Sequence, residues 1–276
     1  MNVNKIVLRV GAKRLLLTIH TTLDSELLYI GSAETYCAYA QIVQPSSPFY
    51  AAMEHSDATL VKIQYNVNCT LEKNFQRGID TSMIMALMIA IIKERFPFLT
   101  GVQFTDASYR TCDYNETVEL PEMYYVATGK TWYETRFGAQ LVSDDVPKFL
   151  DKTVRFQEKK LLIPWISMKR EMRLPLSFPI PDEELQQMYD NAATWQEFFG
   201  PLRSRIGVEE FCIFVAPWLH GFIKKLLRFN FAGATYRIPF DSAKVLSVIY
   251  TTEPYAKGAW RTQTRKRAKR RPMNEM

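Results

Sequence analysis

The run Met83-Ile-Met-Ala-Leu-Met-Ile-Ala-Ile-Ile92 constrains the chain more than any other feature. Continuous apolar residues of high helix propensity leave no polar stripe, so a helix built from them is buried on most of its surface, usually against a sheet. It is about half the length needed to span a bilayer. Asp80 as N-cap and Pro97 as stop bound the helix at about Asp80 to Arg95. Upstream, Leu60, Lys62, Gln64 and Asn66 alternate with Val61, Ile63, Tyr65 and Val67, which predicts a strand over 58–67. Downstream, Val102 and Phe104 mark a short strand over 101–105. A strand–helix–strand unit of this kind gives two parallel strands with a right-handed crossover.

Around that unit the pattern is of mixed α/β type. Short apolar runs at 6–10, 15–19, 27–30 and 36–43, broken by Gly, Asp and Ser, predict strands and hairpins, and Pro45 to Pro48 predicts a loop. Residues 120–137 read as helix interrupted at Gly129, with a possible strand at 139–142. Five prolines between Asp144 and Pro181 suggest a connector of short pieces. A helix from Asp182 to about Phe199, a second over 208–229 carrying Pro217, and a possible strand at 244–250 complete the pattern. The implied division is an α/β domain over 1–145, a connector over 146–181, a mainly helical subdomain over 182–255 and a basic, disordered tail over 256–276.

Charge distribution separates tail from body. The net charge is +6 from 35 basic and 29 acidic residues, and the seven basic residues and one acid beyond Trp260 account for all of it. A neutral body does not coat nucleic acid. The tail's Arg265, Lys266, Arg267, Lys269, Arg270 and Arg271 read as a nuclear-import signal or a nucleic-acid arm, or else as a solubilising tail. The four cysteines lie far apart, without a C-x-x-C pair or a zinc-ligand histidine, and read as reduced thiols. With no leader pattern and no spanning segment, an intracellular protein is expected, cytoplasmic or nuclear and without membrane association. The Asn68 and Asn115 sequons are then coincidental.

The segment Asn74-Phe-Gln-Arg-Gly-Ile-Asp-Thr-Ser82, leading from a strand into the apolar helix, resembles the R/Q-x-x-G-x-G/A turn of the GNAT superfamily of N-acetyltransferases. In that family the turn's amides and the helix start hold the pyrophosphate of acyl-CoA. The resemblance implies a mixed-sheet acetyltransferase-like fold over 1–145, with Gln76, Arg77, Gly78, Ile79, Asp80 and Thr81 at the cofactor. Two positions depart from the pattern: Phe75 stands at the opening basic position and Asp80 at the final glycine. An Asp there caps the helix and competes with a diphosphate for the same amides.

Gly129-Lys-Thr-Trp-Tyr-Glu-Thr-Arg-Phe-Gly138 is similar to the family's late helix, whose tyrosine protonates the departing sulfur; Tyr133 is the matching residue. Core packing of Trp132, Tyr133 and Phe137 is the alternative. Asp106, just past the strand over 101–105, would face ligand or cap the next turn. The block from about Asn68 to Ala139 also resembles uncharacterised proteins of large DNA viruses with a G-K-T-W-Y-E-x-x-F signature. The three histidines lack neighbouring ligands or nucleophiles, and Gly129-Lys130-Thr131 lacks the upstream glycine of a P-loop. The reading that follows is a non-catalytic binding or assembly protein without cofactor. Its tail would contact nucleic acid or an import receptor, and its C-terminal helices would be open to other proteins. An active N-acyltransferase using acetyl-CoA is the alternative.

Overall fold

A computed structural model describes residues 2–43, 57–63, 79–112, 116–142, 146–158, 163–174, 178–231, 233–242 and 249–255. The chain is mixed α/β with mostly antiparallel strands. It divides into two compact units, one drawn from 1–55, 60–92 and 247–276, the other from 56–59 and 93–246.

In the first unit the early alternation becomes an antiparallel meander of β1 (Asn2–Val10), β2 (Lys13–Thr21), β3 (Ser25–Gly31) and β4 (Tyr36–Val43). Gly11 turns the first hairpin at φ +57°, a conformation favourable to glycine. The register pairs Leu8 with Leu15, Leu17 with Ile30, Ile19 with Leu28, and Leu28 with Ala40. All of these are buried, because side chains two apart share a sheet face. A further strand, β11 (Thr251–Pro254), pairs with β1, and its Glu253 binds Arg9 at 2.5 Å. Helix α1 (Ile79–Arg95) is buried all round from Ile84 to Ile89, as the absence of a polar stripe requires.

The second unit begins with the first three residues of β5 (Asp57–Ile63), which pair in parallel with β6 (Gly101–Thr105). Parallel pairing on either side of the helix is the arrangement expected of the strand–helix–strand unit. Antiparallel to β6 runs β10 (Thr235–Pro239), which carries the two-residue β9 (Gln140–Leu141). Buried Asp57 accepts from Arg237 Nε at 2.6 Å and Nη2 at 3.0 Å, with Thr100 and Gln103 donating to the same carboxylate. Gly101 lies beneath this pair: an added Cβ would fall 2.8 Å from the Ile238 carbonyl oxygen, so the strand tolerates no side chain there.

After β6 come a hairpin of β7 (Tyr109–Thr111) and β8 (Thr117–Glu119), then α2 (Leu120–Thr128), α3 (Trp132–Phe137), α4 (Val146–Gln157), α5 (Trp165–Met172), α6 (Asp182–Asn191), α7 (Trp195–Ile206), α8 (Val208–Val215) and α9 (Leu219–Leu227). The helical part has an aromatic core in which Trp195 packs edge-on to Phe222 at 5.1 Å and Phe198 to Phe199 at 4.7 Å. Helix α4 occupies part of the stretch read as short pieces. Two expected helices are each split. Over 182–199, the first helix stops at Asn191, and Thr194 starts the next by accepting from Glu197 N at 3.1 Å. Over 208–229, Pro217 lacks the N–H a continuous helix needs, and α8 stops two residues before it. The loop at 45–48 and most of the strand at 244–250 fall outside the described residues.

The expectation of reduced thiols is corrected. Cys112 and Cys212, a hundred residues apart, are brought to a Cα separation of 5.7 Å and bonded, and Cys37 is disulfide-bonded as well. Spacing motifs report sequence-local metal and redox sites; they carry no information about cysteines that the fold brings together. Among the described residues no helix is long and apolar enough to cross a membrane.

Candidate functional site

The two residues singled out for chemistry, Asp106 and Tyr133, meet in the second unit. Asp106 follows β6 directly, its N–H donating to the Ala234 carbonyl at 2.9 Å and its own carbonyl accepting from Gly233 N at 2.6 Å. Its side chain is 2% exposed. Oδ1 accepts from Ser108 N at 2.9 Å and Ser108 Oγ at 2.6 Å, which is the turn-capping role, while buried Oδ2 has no hydrogen-bond partner. Burial pushes the carboxyl above its ordinary range, against the Ser108 bonds that hold it down, and the Glu119 charge adds to the rise.

Tyr133 is set by a short helix with complete end signals. Thr131, fully buried, accepts from Glu134 N, and Glu134 Oε2 accepts from Thr131 N at 2.6 Å, closing a capping box. Gly129 and Gly138 adopt φ of +72° and +65° where α2 and α3 end. Four of the six residues in Gly129–Glu134 thus have defined places: glycine stop, threonine cap, glutamate return, and Trp132 against Phe137 at 5.5 Å. The Tyr133 ring packs on Phe104 at 4.6 Å. Ser108 and Asp106 lie close enough to act on the phenol, with Ser108 Oγ donating to Asp106. Burial pushes the phenol up, and the Asp106 charge pushes it further. It stays protonated near neutrality, but it is a weaker acid than a free tyrosine and so farther from the acidity that suits proton donation. Tyr236, buried behind it, is raised for the same first reason.

The remaining predicted residues lie elsewhere. Gln76, Arg77 and Gly78 fall outside the described residues, as do Arg265, Lys266, Arg267, Lys269, Arg270 and Arg271. Ile79, Asp80 and Thr81 belong to the first unit. Helix α1 begins at Ile79, so Asp80 sits inside the first turn rather than at the cap. Its carboxylate is 2% exposed and is bound by Lys13 of β2. An ionised carboxylate favours the positive end of a helix, and one already there with its own lysine leaves a diphosphate poorly served. These residues do not fit the pyrophosphate of acyl-CoA.

Sequence reasoning did not find Glu122 and His220. Glu122, in the first turn of α2, is fully buried; Oε1 lies 2.9 Å from His220 Nδ1 on α9, and Oε2 has no partner. Burial pushes this carboxyl up, the His220 contact opposes it, and Glu119 raises it again. The partners are 98 residues apart, so no local pattern marks them. An open cleft is lined by Arg170, Glu171, Arg173, Pro217, Trp218 and Gly221, none of them a candidate site residue in the sequence. Among the described residues no cluster of His, Cys, Asp or Glu could hold a metal ion.

No protein-family model, curated protein or solved structure matches the chain. The acetyltransferase and viral resemblances therefore rest on the residues quoted for them.

Proposed function

We propose that the protein is a non-catalytic binding or assembly protein, of the kind that would arise on an acetyltransferase-like scaffold whose cofactor turn has been given over to structure. One observation carries the reading: Asp80 fills the first turn of α1 with a buried carboxylate held by Lys13. The helix dipole that would serve an anionic cofactor already has the protein's own carboxylate in its first turn. The raised pKa of Tyr133 supports the same reading, since burial makes the phenol a packing residue first. In this reading the tail at 265–271 supplies the partner, nucleic acid or an import receptor. Titration calorimetry with acetyl-CoA is expected to show no binding. Micromolar binding that disappears in Arg77→Glu would overturn the reading.

The nearness of Tyr133 to buried Asp106 favours a second reading, an acyl-CoA-dependent N-acyltransferase. A proton donor beside a buried carboxylate is what that chemistry would need from this unit.

A further inference from the structure

The β7–β8 hairpin and helix α8 are joined twice at matching positions. Arg110 pairs with Glu209 at 2.5 Å, and Cys112 is bonded to Cys212. Arg110 and Cys112 are two apart on an extended segment, Glu209 and Cys212 three apart on a helix, so each pair of positions shares a side. The two links differ in exposure. The side chains of Arg110 and Glu209 are 34% and 42% exposed, whereas Cys112 and Cys212 are 4% and 0% exposed in the aromatic core with Val118 and Phe211.

Disulfides form when a thiolate attacks the sulfur of an existing disulfide, which places a third sulfur in line with the bond being broken. A core packed at crystal-like density leaves no room for that third sulfur beside Cys212. We infer that the chain is a substrate of a protein disulfide donor, which oxidises Cys112 and Cys212 before α8 packs, and that packing then seals the bond against exchange. In the first step one cysteine thiolate attacks the donor disulfide, forming a mixed disulfide and releasing one donor thiolate. In the second, the other cysteine thiolate attacks the mixed disulfide at the chain's sulfur and releases the second donor thiolate. Two electrons pass to the donor, which is left as a dithiol, and the two cysteine protons balance its thiolates. The bonded state of Cys37 supports an oxidant that acts on the chain at large rather than on one chance encounter.

The test uses the full-length chain. Alkylation in denaturant without reductant should label neither Cys112 nor Cys212, and a non-reducing digest should yield one peptide pair joining them; labelling of both would overturn the inference. Dithiothreitol under native conditions should leave the bond intact over times that reduce the denatured chain fully. Equal rates in the two states would overturn the sealing. Refolding of the reduced chain without oxygen should yield more than about tenfold as much native protein with an oxidised C-x-x-C oxidoreductase as with its reduced form, given the usual contribution of a native disulfide. Equal yields would overturn the need for a donor.

Discussion

The meander at 2–43 and the helical part of the second unit are stabilised in different ways. In the meander, β1 to β4 each pair with their neighbours in sequence, through short turns and a buried face of aliphatic residues. In the second unit the defining ties join residues roughly a hundred or more positions apart: Cys112 with Cys212, Glu122 with His220, Arg110 with Glu209 and Asp57 with Arg237. Closing a long loop costs entropy before any contact offsets it. The first region can therefore form from local information, while the second depends on ties that exist only once distant segments have met.

The contrast can be broken most forcefully by Phe199→Ala, which opens a cavity beside Trp195 and Phe198 and is expected to cost about 3–5 kcal/mol. Hydrogen exchange should show protection lost in α7 to α9 and kept in β2 and β3; equal loss in both regions would mean that they unfold as one. A smaller effect is expected of Asp57→Asn, which leaves Arg237 without its carboxylate. The cost is about 2–3 kcal/mol in denaturant titration, below that of a fully buried pair because Arg237 is partly exposed. Burial pushes the Asp57 carboxyl up, but hydrogen bonds from Arg237, Gln103 and Thr100 outweigh it and hold the group below its ordinary range. Its folded value is depressed, so its contribution is present above the unfolded value of about 3.9 and is lost as pH falls through the folded value. The gap in stability between wild type and Asp57→Asn should therefore narrow in acid; a gap independent of pH would show that Asp57 is not ionised in the fold. The smallest effect is that of Thr131→Ala, which removes the cap of α3 at about 1 kcal/mol in the same titration. No change there would mean that the aromatic contacts alone hold that helix.

What was legible in the sequence follows the same division. The four strands of the meander, the all-round burial of α1 and the break at Gly129 could be read because period-2 alternation, an unbroken apolar run and a left-handed glycine are local signals. Thr131-x-x-Glu134 and Thr194-x-x-Glu197 are equally local signals, threonine caps followed by glutamate at the third helical position, yet neither entered the sequence reading, the second lying inside a longer expected helix. Asp106 and Tyr133 each stand out singly in the sequence, and Ser108, which donates to Asp106, carries no pattern of its own. The cysteine pairing was beyond reach, because four cysteines allow three connectivities and none of the spacings distinguishes among them.

The Cys112–Cys212 bond also decides how the chain would carry mechanical load. Tension entering through the two ends passes across the sulfur bridge and bypasses residues 113–211, which include β8 and helices α2 to α7. At 3.3–3.6 Å per extended residue, about 350 Å of contour is withheld from any stretching of the oxidised chain. The helices within that loop are spared the pull, and the meander, whose first strand begins at the N-terminal end of the load path, has to bear it.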